Sequence, residues 1–199
     1  MKRIMLFEEF IYNSRWMKDL YKECAYNSIL CDELLLEKSI DAELSENVKA
    51  LINDESAWEI NEYDSFLESV SHSKRMEFLT KYTKEEFVRL NIQTFKLKGY
   101  NIGFALKPID AEGEKHCEII SLHNNEENIG NVGDTLLQFA IKKGGDVLNH
   151  YDGFLSELYE RNGFNDIYLS IRFDDKYADP KWNYALYGRP MIISRRLKK

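Results

Sequence analysis

From Ser14 to Leu36 the apolar positions Trp16, Met17, Leu20, Tyr21, Cys24, Leu30 and Leu34 recur mostly at three- and four-residue steps. That spacing puts them on one face of a helix. A second, shorter helix is predicted from about Ala42 to Ile52, and the stretch through Trp58, Phe66, Leu67 and Val70 reads as broken helix or loop. Thr83-Lys84-Glu85-Glu86 has the form of a capping box: the threonine accepts from a first-turn amide while Glu86 reaches back, so a short helix opens at Phe87 to Leu90.

The period changes near residue 92. Gln93 to Lys98 and Ile102 to Lys107, separated by Gly99-Tyr100-Asn101, read as a hairpin, and a turn at Asp110 to Gly113 leads to a third strand at Cys117 to Leu122. A polar, glycine-bearing loop from Asn124 to Gly133 then precedes a helix carrying Leu136, Leu137, Ala140 and Ile141, which Gly144-Gly145 stops. A strand at 146–151, a helix presenting Phe154, Leu155, Leu158 and Tyr159, a strand at 164–173, a long loop and a strand at 191–194 complete the chain. The order is helices, then β-β-β-α-β-α-β-β. The expected class is therefore α+β, with residues 1–90 as a helical N-terminal region and 91–199 as a sheet-bearing domain.

With 44% apolar and 31% charged residues against 10 Gly and 3 Pro, the composition is that of a globular protein and excludes disordered and fibrous classes. No run of about 18 apolar residues exists, and the opening Met1 to Phe10 breaks into Glu8-Glu9 too early for a secretory core. Membrane and secreted readings are not supported, and a cytoplasmic location is expected. Cys24, Cys31 and Cys117 match neither a zinc knuckle nor a redox pair, so reduced thiols are expected. Residues 1–90 carry 12 Lys+Arg against 19 Asp+Glu, net −7, and residues 91–199 carry 15 of each. An acidic first half repels phosphate backbones, which argues against nucleic acid as a partner and leaves a protein partner for that half. The basic end Arg195 to Lys199 reads as a solvated tail.

The glycine loop lies between a strand and the start of a helix, where backbone N–H groups at the positive end of the dipole can hold a phosphate. Here residues about 90–194 resemble the GNAT superfamily of acyl-CoA-dependent N-acetyltransferases. Asn128-Ile129-Gly130-Asn131-Val132-Gly133, followed by Asp134-Thr135-Leu136-Leu137, looks like that family's pyrophosphate loop, written Gln/Arg-x-x-Gly-x-Gly/Ala. Leu158-Tyr159-Glu160-Arg161-Asn162-Gly163-Phe164 is similar to its Leu-Tyr-Glu-Lys-x-Gly-Phe. The 26 residues from Gly133 to Tyr159 suit one helix, one strand and most of a second helix. Three positions depart from the pattern: Asn128 stands for a basic or amide residue, Asn131 for the first loop glycine, and Asp152 for an asparagine that bonds the pantetheine arm.

The resemblance implies a central mixed, splayed sheet flanked by helices, with the first half as a helical annex, and acetyl-CoA as co-substrate. It also implies direct transfer to an amine, either a small molecule or a protein lysine or N-terminus. A backbone N–H around Ile119, Ile120 and Ser121 would stabilise the oxyanion, and Tyr159 would protonate the leaving thiolate. Glu118 and His123 are the candidate bases, lying on opposite faces of one strand. His116 and Cys117 are adjacent on a strand and point apart, and the four histidines lack zinc-ligand spacing, so no metal is expected. The cluster Tyr177, Trp182, Tyr184 and Tyr187 with Asp174, Asp175 and Asp179 suits either an acceptor pocket for a cationic amine or an aromatic-stapled loop packed on the sheet.

Met1-Lys2 with Phe7 to Ile11 also resembles N-terminal segments of proteins packaged into tailed-phage heads. Tyr151 to Leu155 and Tyr177 to Tyr184 resemble phage-encoded GNAT-like proteins, which would place the chain in a host cytoplasm or a virion. Two functions are compatible with these features: an N-acetyltransferase, or a GNAT-fold binding protein with weakened catalysis.

Overall fold

The computed structural model describes residues 28–73, 76–111, 113–153 and 155–198. The apolar stripe from Trp16 to Cys24 and the segment Met1 to Ile11 lie outside them.

Helix α1, Ser28–Asn53, runs unbroken where the sequence predicted two pieces. Leu44, Val48, Leu51 and Ile52 recur at three- and four-residue steps, and Val48 and Ile52 are wholly buried. Packing thus carries the helix through residues whose own preferences are weaker. Trp58 lies in a strand, β1 (Trp58–Ile60), rather than in helix or loop. Its indole N–H donates to the Ile52 carbonyl at 3.0 Å and its ring stacks on Phe139 at 4.9 Å, which pins α1 to the sheet. Helix α2, Tyr63–Ser71, and helix α3, Lys84–Arg89, follow. The capping box of Thr83 and Glu86 that opens α3 is formed in both directions.

The strands β2 (Gln93–Leu97), β3 (Ile102–Ala111) and β4 (Glu114–Asn124) form an antiparallel meander. After helix α4 (Gly133–Lys142) the chain enters β5 (Val147–Tyr151), helix α5 (Ser156–Arg161), β6 (Asp166–Ile171), a short helix α6 (Tyr184–Tyr187) and β7 (Ile192–Arg196). One seven-stranded sheet results, ordered β1-β2-β3-β4-β5-β7-β6. Its β4–β5 pair is parallel and every other pair is antiparallel. This is the α+β class and the central mixed sheet that the resemblance implied.

Each sheet face has its own core. On one, Val48, Ile52, Trp58, Phe104, Ile119, Leu136 and Phe139 join α1 and α4 to the sheet. On the other, Phe66, Phe87, Ile92 and Ala105 seat α2 and α3, with Ile120 packed beside them. Gly103 permits the second contact, since a Cβ there would stand 2.5 Å from the Phe95 carbonyl oxygen and 3.0 Å from the His123 ring.

Candidate active site

The parallel pair is joined for two register positions, Glu118 with Val147 and Ile119 with Leu148, and no further pair follows. β5 continues along β7 as far as Tyr151, while β4 continues along β3. The strands therefore part toward their carboxyl ends. Asp146 clasps the closed end: its carboxylate accepts from the Cys117 amide at 2.8 Å and contacts His116 Nδ1 at 2.9 Å, and its own amide donates to the Cys117 carbonyl. Gly145 leaves room at the crotch, where a Cβ would meet Ile119 Cγ1 at 2.4 Å. On β4 an extra residue bulges between the pairs Gly103–His123 and Ala105–Ile120, with Ser121 at φ +51°. Ile119, Ile120 and Ser121 thus line the parting edge, and a bulge there re-aims backbone groups.

The loop after β4 is fixed at several points. Asn124 donates to the Ile129 carbonyl at 2.6 Å, and Ile129 and Val132 are buried in the first core. The Gly130 amide donates to Ser45 Oγ at 3.1 Å, and Ser45 in turn donates to the Asp41 carbonyl at 2.7 Å. Asn128 and Asn131 are exposed, and Asn131 takes φ +54°. From Asn131 to Thr135 the backbone amides have no acceptor among the described residues, and the Leu136 amide is the first to bond back, to Val132. These amides open α4 at the end of the sheet where β4 and β5 have separated.

Asp134 sits among them. Arg161 grips its carboxylate with two bonds of 2.7 Å and Asn162 adds a third. The Arg161 bonds hold its pKa below the usual carboxylate value against partial burial, helped by Asn162 and the charge of Lys49. Asp152, exposed after β5, receives the Ser156 hydroxyl at 3.3 Å, while its amide donates to the Met191 carbonyl at 2.7 Å.

Tyr159 faces the first core, its ring 5.0 Å from that of His150 and 6.4 Å from that of Phe164. Burial alone pushes the phenol far above its ordinary pKa, and its hydroxyl has no hydrogen bond among the described residues. His150 is held by two opposite bonds. Nδ1–H donates to the Tyr151 carbonyl, leaving Nε2 to accept from Arg195 Nε at 2.9 Å. Arg195, expected in a solvated tail, is only 4% exposed and also donates to the Phe164 carbonyl and Glu160. Its position on β7 turns it inward, a fact that strand alternation through Ile193 and Arg195 would have signalled.

Glu118 lies on the opposite face. Oε2 accepts from Lys107 at 3.1 Å, and Oε1 accepts from Asn149, so the carboxylate ties β3, β4 and β5 together where the last two separate. Burial weakens the Lys107 ammonium, but Glu118 and Tyr82 together outweigh it and the lysine pKa is raised. The other candidate base, His123, is 6% exposed and bonded through both nitrogens, to Ser69 Oγ and the Ser121 carbonyl. The Cys117 thiol has its pKa raised by burial and by neighbouring carboxylates, so it is a poor nucleophile.

In the aromatic loop Trp182 and Tyr187 take the packed form, whereas Tyr177 and Tyr184 are exposed. Trp182 is buried against Phe78, Tyr151, Phe173 and Tyr187 at 4.9–5.2 Å. Its carboxylates are engaged: Asp175 by Arg189, Asp179 by Lys81, and Asp174 by the Lys176 amide. Two surface hollows, of about 270 and 200 Å³, lie away from the parted strands, one beside Lys96 and Tyr100 and the other beside His116 and Arg196. No group of three or more His, Cys, Asp or Glu that could hold a metal occurs among the described residues, and no helix among them is long and apolar enough to cross a membrane.

No protein-family model matches the chain, and no curated protein does. Among solved structures it is similar to N-acetylglutamate synthase from Neisseria gonorrhoeae, crystallised with coenzyme A and L-arginine. The identity is 17% and the TM-score 0.40, over 71% of this chain and 34% of that one, so the chain spans about a third of that protein's length.

Proposed function

We propose that the chain is an acyl-CoA-dependent N-acyltransferase that moves an acetyl group to an amine. The observation that carries this reading is the coincidence of two features at one end of the sheet: the parting of β4 from β5 after Ile119, and the run of unsatisfied amides from Asn131 to Thr135. Ligands of α/β folds collect outside the carboxyl ends of parallel strands, and oriented amides at a helix start suit a diphosphate. The single carboxylate in that run, Asp134, is neutralised by Arg161 and so does not repel one.

In this reading the loop Asn128 to Asp134 holds the diphosphate and Asp152 flanks the pantetheine arm. The bound thioester supplies an activated carbonyl. A backbone N–H at the bulged edge of β4, Ile119 to Ser121, stabilises the oxyanion that forms as the amine attacks. Tyr159 stays protonated because burial disfavours phenolate, and it gives its proton to the thiolate that departs. Glu118, bonded to Lys107 and Asn149, retains lone pairs to accept the amine proton. The acceptor is a small amine or a lysine or N-terminus of a protein, encountered in a cytoplasm or, for a phage protein, in the host or virion.

A second reading, a binding protein with weakened catalysis, is favoured by the Gly130 amide being taken by Ser45 and by the deep burial of Tyr159. Thermal unfolding separates the two. Acetyl-CoA at 100 times Kd should stabilise the enzyme by about 2.7 kcal/mol, whereas no shift at millimolar cofactor leaves only the binding protein. If the shift is present, Tyr159→Phe should lower turnover and preserve it. Unchanged turnover removes the acid role.

A further inference from the structure

Arg195 is a cation almost without solvent, its side chain 5% exposed, and each of its three bonds ends beside Tyr159. Nη2 donates to Glu160, the next residue after Tyr159, at 2.7 Å. Nη1 donates to the Phe164 carbonyl at 3.1 Å, and the amide of that same Phe164 donates to the Tyr159 carbonyl at 3.0 Å. Nε donates to His150 Nε2 at 2.9 Å, and the His150 ring lies 5.0 Å from the phenol ring. A buried cation needs a charge partner, and Glu160 alone supplies one. The other two acceptors are neutral, so what they add is direction. Tyr159 has no bond of its own to set its ring, since the hydroxyl finds no partner among the described residues. The ring's direction is therefore set by the groups packed on it, and Arg195 holds those groups from β7 while Tyr159 rides on α5. A planar guanidinium suits the task because its hydrogens leave in fixed directions, whereas an ammonium turns freely.

We infer that Arg195 is the positioning residue for Tyr159, with the His150 ring as the intermediary that packs on the phenol. The inference rests on the acyltransferase reading for its catalytic consequence and deepens it. It requires a neutral His150. Nδ1 already donates to the Tyr151 carbonyl, so a proton on Nε2 would set one N–H against the other and break the bond from Arg195. Burial first, and then the charge of Arg195, lower the imidazole pKa, against the Tyr151 carbonyl, Asp152 and Glu160, which raise it. The cation thus helps to keep its own acceptor bare.

The test is NMR of the full chain with isotope-labelled tyrosine and histidine rings, the two signals being identified by their loss in Tyr159→Phe and His150→Gln. Arg195→Met removes every donor; with no ligand present it should move the Tyr159 signal and raise the His150 titration midpoint. Arg195→Lys keeps the charge without the fork, so the midpoint should stay low while the Tyr159 signal still moves. In acetyl transfer, Arg195→Met should lower kcat about tenfold and leave KM for acetyl-CoA unchanged. In a Tyr159→Phe background it should lower kcat no further. Tyr159 and His150 signals that stay in place in Arg195→Met overturn the inference. So does a loss of turnover as large in the Tyr159→Phe background as in wild type, because it marks general damage. If Arg195→Met does not fold, Glu160→Ala removes one acceptor at a half-exposed side chain and should still move the Tyr159 signal; an unmoved signal overturns the inference. Wild type without acetyl transfer removes the acyltransferase reading, and the ring signals then decide by themselves whether Arg195 sets Tyr159.

Discussion

His123 offers a quantitative test of how the bulged edge of β4 is held. The Ser121 carbonyl can only accept, so Nδ1 carries the hydrogen of that 2.8 Å bond and Nε2 is bare, receiving the Ser69 hydroxyl at 2.8 Å. Packed edge-on to Phe66, the ring joins α2 to the bulge. Burial is the main cause that lowers its pKa from 6.5 to about 4; the Ser121 bond opposes the shift and the charge of Lys96 adds to it. Above pH 6.5 both folded and unfolded chains hold the ring neutral, so stability is at its full value. Between 6.5 and 4 the unfolded chain takes a proton that the native ring refuses, and stability falls as pH falls. A difference of about 2.5 pH units at 1.36 kcal/mol each comes to about 3 kcal/mol, a large share of a stability of roughly 5–15 kcal/mol. Urea unfolding at steps from pH 7 to 4 should show wild type losing about 3 kcal/mol more than His123→Gln, whose amide makes the same two bonds without titrating. His150, also lowered mainly by burial, is common to both proteins and cancels. Parallel curves, or an imidazole NMR midpoint near 6.5, would refute the reasoning.

Two further changes probe the geometry around the mouth. Gly103→Ala drives a Cβ toward the Phe95 carbonyl, a backbone atom that cannot turn aside. It should cost about 1–3 kcal/mol in denaturant unfolding, and a neutral result would mean that β2 and β3 are less closely paired. Asn149→Ala strips one partner from the buried Glu118. Destabilisation of about 1–3 kcal/mol is expected, whereas unchanged stability would show that the carboxylate does not strap β4 to β5.

The strands from Gln93 onward were legible because alternation and turn residues repeat over enough positions to set a period. The stretch Leu158 to Phe164 was legible as a motif. β1 was not, since Trp58-Glu59-Ile60 is too short to show alternation and exists by pairing with Phe95 to Leu97. The continuity of α1 is hidden because the apolar period lapses between Leu36 and Ala42, whereas packing of its later turns on the sheet carries the helix through. Candidate site residues from Asn128 to Asp134 are gathered at one helix start, but the partners that fix them, Ser45 and Arg161, come from elsewhere in the chain. Sequence spacing does not reveal such pairings. Arg195 is not legible as a buried residue because a run of basic residues resembles a solvated tail, while its strand position makes it a buried donor to three groups.

The arrangement bears on how a ligand would be received. A loop of glycine and asparagine that orders on binding gives up conformational entropy at that moment and lowers affinity. Here the ordering is already complete: Asn124 holds the Ile129 carbonyl, Ser45 holds Gly130, Val132 is sunk in the core, and Asp134 is locked by Arg161 and Asn162. Among the described residues the amides from Asn131 to Thr135 have no acceptor. Their positions are set by contacts that a ligand need not make. The strands beneath are similarly fixed, by Asp146 at their closed end and Glu118 at the crotch. A site built this way presents its donors before anything arrives, so hydrogen exchange on binding coenzyme A should slow mainly from Asn131 to Thr135 and leave Gly130 nearly unchanged. Protection spreading through the whole loop would mean that the loop is ordered by the ligand and not by α1.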